Sequence, residues 1–133
     1  MLLLDTHVLV WLASGHPNLG RKARGTVDRS LPDPGVAVSA FSYWEVATLL
    51  DRGRLRGLSS AEVLRARAAS LGILELAVDG TVAILAARLR AFHGDPADRL
   101  IVASAMSHGA LLLTADATLL GWKHGLRTQD ARR

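Results

Sequence analysis

The chain has 133 residues, 50% hydrophobic and 21% charged, which is enough apolar material for one real core and too little length for a second domain. It contains no cysteine, so disulfides, thiolate zinc sites and a cysteine nucleophile are excluded, and the cytoplasm is the expected compartment. The net charge of +4 is almost wholly arginine, since Lys22 and Lys123 are the only lysines; this surplus suits phosphate-bearing partners and equally a solvated surface.

The opening run "MLLLDTHVLVWLA" is apolar but lacks a basic leader and is interrupted by Asp5 and His7, which reads as core rather than as a signal peptide. "LLLD" is a short strand ending at an aspartate, and "THVLVWLAS" has apolar residues on helical spacing, closed by Gly15 and Pro17. A basic helical stretch lies near residues 20–30. The turn "PDPG" then introduces the strand "VAVSA" and the helix "SYWEVATLLDRG", in which Ser42 and Glu45 have capping-box spacing and Gly53 is a stop.

"SSAEVLRARAASLG" repeats the capping pattern with Ser59 and Glu62, and "ILELAV" follows as a third strand. A helix is expected through "TVAILAARLRAFH", another through "DPADRLIVASAMSHG", then the strand "ALLLT", a short helix in "ADATLLGW" and a fifth strand in "GLRTQD". The apolar stretch from Leu100 to Thr114 is too short to span a bilayer, so no membrane segment is expected. Only the terminal "DARR" is expected to fray.

Short apolar strands alternating with helices imply right-handed crossovers and a mostly parallel sheet covered on both faces. The predicted class is α/β, with residues 1–133 forming a single domain. In such a sheet the ligand site lies outside the carboxyl ends of the strands, where strand order reverses. Asp5 ends the first strand, Glu45 is placed in the first turn after the second, Asp98 in the first turn of its helix, and Asp116 two residues beyond the fourth strand.

Each of these acids has a structural role available to it. Asp5 and Asp116 suit helix caps, Glu45 the capping box, and Asp98, behind the N-cap Asp95 and Pro96, suits the positive end of the helix dipole. Four carboxylates at one rim nevertheless repel one another unless something positive lies between them. A donor set of oxygens alone suits a hard cation, Mg2+ or Mn2+, and such sites bind phosphate and activate water for phosphodiester hydrolysis.

The blocks "LLLDTHVLVWL", "VSAFSYWEVATL", "DPADRLIVASA" and "LLTADATL", in this order over almost the whole chain, resemble those of PIN-domain ribonucleases, in particular the VapC-type toxins of bacterial toxin–antitoxin pairs. The resemblance implies a Rossmann-like α/β/α sandwich with a four- to five-stranded sheet and a metal site made by Asp5, Glu45, Asp98 and Asp116. It further implies an RNA substrate, a cognate antitoxin protein and a homodimer. Thr6 and Thr114 match polar positions of its first and last blocks and serve either to order a water or carboxylate or as simple caps.

Other residues carry less weight. His7 lies beside Asp5 but reads better as a surface or packed histidine, and Trp11 and Trp44 read as core or dimer-face residues. Arg99 is placed to pair with a carboxylate or a phosphate. Arg52, Arg54 and Arg56 surround a helix end and suit either solvent or RNA backbone.

Rival chemistries lack their residues. A haloacid-dehalogenase-type phosphoryl transferase needs a second aspartate at position 7, which is His7; a receiver domain needs a lysine after a late strand; a dinucleotide site needs a glycine-rich first turn where "DTHVLV" stands. The alternative retained is a catalytically inactive RNA-binding or regulatory module of the same fold.

Overall fold

The computed structural model describes residues 1–133. In chain order the elements are β1 (Leu2–Leu4), α1 (Thr6–Ser14), α2 (Arg21–Ser30), β2 (Val36–Ser39), α3 (Ala40–Asp51), α4 (Ala61–Ser70), β3 (Leu74–Leu76), α5 (Gly80–Arg88), α6 (Pro96–Ser107), β4 (Leu111–Thr114), α7 (Ala117–Gly121) and β5 (Arg127–Asp130). The five strands form one sheet in the order β3-β2-β1-β4-β5. Every pairing is parallel, so the expected class and strand number hold.

The central strands are apolar throughout because both faces of the sheet are covered. Leu2, Leu4, Val36, Val38 and Leu113 pack on one side against Val8, Leu9, Val27, Val46 and Leu64 from α1 to α4. Leu3, Ala37 and Leu112 point to the other side, against Ile101, Val102 and Ala105 of α6 and Leu119 of α7. Val82 and Ala86 of α5 pack on Ala103 of α6 outside that layer. The result is three layers, helix on sheet on helix. No helix is long and apolar enough to cross a membrane.

Several local expectations give way. The third helix is capped by Ser39, whose hydroxyl accepts from the Phe41 amide, so α3 starts at Ala40 and Glu45 falls in its second turn. Ser42 is not its cap, and the Ser42–Glu45 capping box does not form. Ser60 rather than Ser59 caps α4, accepting from the Val63 amide.

The helix expected to reach His93 ends at Arg88. Beyond it the chain folds into a tight loop in which Ala91 has a φ of 52°. Arg99 holds this loop: its guanidinium donates to the carbonyls of Ala86 at 2.9 Å, Leu89 at 3.4 Å and Phe92 at 3.1 Å. Its planar fork suits several carbonyls at once, and no carboxylate lies within ion-pair distance.

The C-terminal residues are packed rather than frayed. The Ala131 carbonyl accepts from the Gly20 amide and the Arg133 carbonyl from the Lys22 amide, both at 2.8 Å. These bonds satisfy free N–H groups at the start of α2. Trp44, expected in the core or at a dimer face, is 60% exposed and stacks on Phe41.

Candidate functional site

Strand order reverses between β1 and β4, so their carboxyl ends diverge to the helices that follow and leave a crevice. A cavity of about 350 Å³ opens there, and Asp5, Glu45, Asp95, Asp98 and Asp116 all border it. The four acids selected from the sequence are thus brought together. Asp95 joins them. Thr6, His7, Trp11, Ala115 and Arg132 complete the lining.

Each acid is set by the local fold. Asp5 follows β1 as the N-cap of α1, where one carboxylate oxygen accepts from the Thr6 amide at 2.8 Å. Its other oxygen accepts from the Thr114 hydroxyl at 2.6 Å, and Thr114 Oγ1 in turn accepts from the Asp116 amide at 3.1 Å. Thr114 thereby joins the first and last acids. Asp116 caps α7 through the Leu119 amide.

Glu45 projects from the second turn of α3. The Thr6 hydroxyl donates to its carboxylate at 2.6 Å and shares a 2.9 Å hydrogen bond with Ser42. Both threonines therefore orient carboxylates. Asp95 caps α6 by accepting from the Asp98 amide at 2.9 Å, with Pro96 at the helix start as expected. The Asp98 carboxylate itself receives no protein donor.

The electrostatics are those of an uncompensated anionic cluster. Burial raises the Asp5 carboxyl above its ordinary value, against the opposing bonds from Thr114 and Thr6. Burial likewise raises Glu45, partly offset by Thr6. Asp98 is pushed up to about 7, first by burial and then by Asp95, Asp116, Asp5 and Glu45. No lysine or arginine forms an ion pair with any of these acids.

The donors are oxygens only, which fits a hard cation. No three of them already enclose a bare ion. A larger cavity, lined by Tyr43, Glu62, Arg65, Ile73 and Glu75 among others, contains the 2.7 Å Arg65–Glu75 pair, whereas the smaller one gathers five carboxylates with no ion-pair partner.

The sequence pointed to Asp5, Glu45, Asp98 and Asp116, while Asp95 was visible there only as a cap. The spacing of Asp95 and Asp98 within one helical turn was the available sign that both face one rim. Nothing in the sequence indicated Arg132. His7 is exposed at the mouth, in keeping with a surface histidine.

Fold and site together define an open parallel α/β protein whose crevice is anionic and suited to a hard metal rather than to a dinucleotide. Residues 2–120 match the PIN domain, and the chain belongs to the PIN-domain family. It is 32% identical over 127 residues to Ribonuclease VapC22 of Mycobacterium tuberculosis, covering 92% of each chain. Its fold is similar to that of VapBC2 from Rickettsia felis, solved with a promoter DNA fragment, with a TM-score of 0.71, 14% identity and 96% of each chain covered. It is also similar to a chain of a toxin–antitoxin complex from Klebsiella pneumoniae, with a TM-score of 0.66, 22% identity and 95% of each chain covered.

Proposed function

We propose that this protein is a divalent-metal-dependent endoribonuclease, the toxin of a toxin–antitoxin pair, with residues 1–133 acting as one domain. The observation that carries this reading is the convergence of Asp5, Glu45, Asp98 and Asp116 on one crevice with no cation paired to any of them. Hydrolysis of RNA, rather than mere binding, is supported by membership of the PIN family and by the ribonuclease relative.

In this reading the same four residues are catalytic and hold Mg2+ or Mn2+. When bound, the metal polarises the phosphoryl oxygen and lowers the pKa of an attacking water. The protein's own part is positioning and charge. Thr114 and the Thr6 amide fix Asp5, the Thr6 hydroxyl fixes Glu45, and Asp98, with no donor of its own, would hold the metal as a carboxylate.

A small antitoxin is the proposed partner, because a cluster of unpaired carboxylates is a ready receptor for an inserted arginine. A homodimer is supported by apolar side chains left on the surface, among them Trp44 and Ile84 at 60% and 54% exposure, which are better covered by a second copy. The cytoplasm is the proposed compartment, in keeping with a chain free of cysteine.

The test is cleavage of a mixed RNA pool by the purified chain with magnesium or manganese, with chelator, and as Asp98→Asn. Cleavage that needs metal and is lost in the variant supports the assignment. Full activity in excess EDTA overturns the metal role. Tight RNA binding without cleavage, by a chain freed of co-purifying protein, returns the inactive binding module.

A further inference from the structure

The crevice contains one arginine, and it is not spent on the acids around it. Arg132 donates from Nη1 to the Ala115 carbonyl at 3.0 Å, and its guanidinium lies over the Trp11 ring, 5.7 Å from the centroid. No carboxylate of the crevice stands within ion-pair distance of it. Its remaining N–H groups have no acceptor within the protein, although Arg132 lines the same cavity as Asp5 and Asp116.

Its placement is built in at the backbone. The Ala131 amide donates to the Thr114 carbonyl, the Ala131 carbonyl accepts from Gly20, and the Arg133 carbonyl accepts from Lys22, each at 2.8 Å. The Arg132 amide donates to the Asp130 carboxylate at 2.9 Å. A methyl group on Gly20 would lie 2.6 Å from the Arg132 carbonyl carbon, so this close approach requires glycine. A residue fixed on both sides, and supported by an aromatic face, presents its charge at a defined point.

We propose that Arg132 is a substrate-binding residue, whose free guanidinium edge clamps an RNA phosphate beside the one at the acidic cluster. The inference rests on the ribonuclease reading and adds to it. A bound metal neutralises the phosphate under attack, but the neighbouring phosphate of the same strand must still approach five carboxylates. A guanidinium already tethered to a carbonyl and a ring offers its other edge to that anion bidentately, at little entropic cost.

The test uses a fluorescein-labelled single-stranded oligoribonucleotide. Binding is followed by anisotropy in calcium across a series of salt concentrations, and cleavage in manganese is measured alongside. Arg132→Gln is expected to weaken binding about fivefold to tenfold and to reduce the slope of log affinity against log salt by about 0.7, the share of one single-strand phosphate contact. Its KM should rise while kcat stays within about twofold. Arg132→Lys, which keeps the charge, should retain the wild-type salt slope and part of the affinity.

A glutamine variant with the wild-type slope and affinity overturns the proposal. So does a lysine variant that loses as much salt slope as the glutamine one, since the charge of the side chain then plays no part in binding. Failure of the ribonuclease reading shows elsewhere, as a wild-type chain that binds the oligonucleotide but leaves it uncut in manganese.

Discussion

The Thr114 hydroxyl donates to the Asp5 carboxylate at 2.6 Å, across 109 positions of the chain, and the whole bond is buried. It joins the ends of β1 and β4, the two strands between which strand order reverses. The same oxygen accepts from the Asp116 amide. One threonine thus sets the distance between two proposed ligands.

Thr114→Val keeps the shape of the side chain and removes both bonds. Stability should fall by about 1–2 kcal/mol, because one oxygen of a buried carboxylate loses its donor. The Asp5 carboxyl, already raised by burial and held down by this bond, should rise further. Manganese affinity should drop roughly 10–100-fold, the usual cost of losing a group that orients a ligand. Thr114→Ser should restore most of it. Calorimetric titration with manganese and urea unfolding measure the two effects separately, and unchanged affinity in the valine variant removes Thr114 from the site.

The acidity of Asp98 gives a prediction with a definite sign. Its folded pKa of about 7 lies above the ordinary aspartate value of 3.8, so between these the folded chain binds more protons than the unfolded one and stability falls as pH rises. Without metal, Asp98→Asn should therefore be the more stable protein at pH 8, by roughly 1–2 kcal/mol after allowance for the solvent that reaches a partly buried carboxyl. At pH 4 the advantage should vanish. Metal binding demands the opposite protonation state, so manganese affinity should climb from pH 5 to pH 8, and near pH 6 binding should release close to one proton. Denaturation at the two pH values, and calorimetry in buffers of different ionisation enthalpy, test both halves. Equal stability of variant and wild type at pH 8 contradicts the crowding of charge around Asp98.

The sheet was legible in the sequence because its three central strands are covered on both sides and so read as unbroken apolar runs. Asp5 and Asp116 were legible for the same reason, since each closes or follows such a run. The capping of α3 was not. Ser42 and Glu45 have the spacing of a capping box, but Ser39 prevails because its backbone remains extended, with φ −73° and ψ 139°, while its hydroxyl reaches the Phe41 amide.

Arg99 and Arg132 were legible as charges but not as contacts. Their partners are backbone carbonyls, which every residue carries and no sequence pattern marks. Docking of residues 131–133 on the start of α2 also runs through backbone groups, and its one trace in the sequence is the missing Cβ of Gly20.

Glu45→Gln separates the charge of that residue from its hydrogen bond. Glutamine can still accept from the Thr6 hydroxyl, which donates to Glu45 at 2.6 Å, so the local packing should survive. The unfolding free energy should change by less than about 1 kcal/mol. It should rise if anything, since burial and the nearby Asp5 and Asp95 already disfavour the ionised form. Cleavage should fall by more than the roughly 10–100-fold expected from a lost supporting bond. Thr6→Val supplies that comparison, because it removes the bond and keeps the charge. Initial rates on one RNA substrate rank the two, and a glutamine variant that cuts faster than Thr6→Val excludes Glu45 as a ligand.

Gly94→Ala tests whether the loop before α6 sets the position of Asp98. A methyl group at position 94 would lie 2.6 Å from Phe92 Cζ and 2.9 Å from Asp98 Cβ. The phenyl ring has little room to retreat. It is buried, meets Trp122 edge-on at 5.4 Å and carries Arg99 over its face at 5.5 Å. The strain must therefore divide between the ring and the first turn of α6, costing about 1–3 kcal/mol. Because that turn carries the Asp95 cap and Asp98 together, a displacement reaches two of the five carboxylates. Manganese affinity should fall along with stability, and Asp98→Asn added to the alanine variant should lower it less than it does in the wild-type chain. A loss of stability with wild-type affinity would instead place all of the strain in Phe92 and leave Asp98 held by α6 alone.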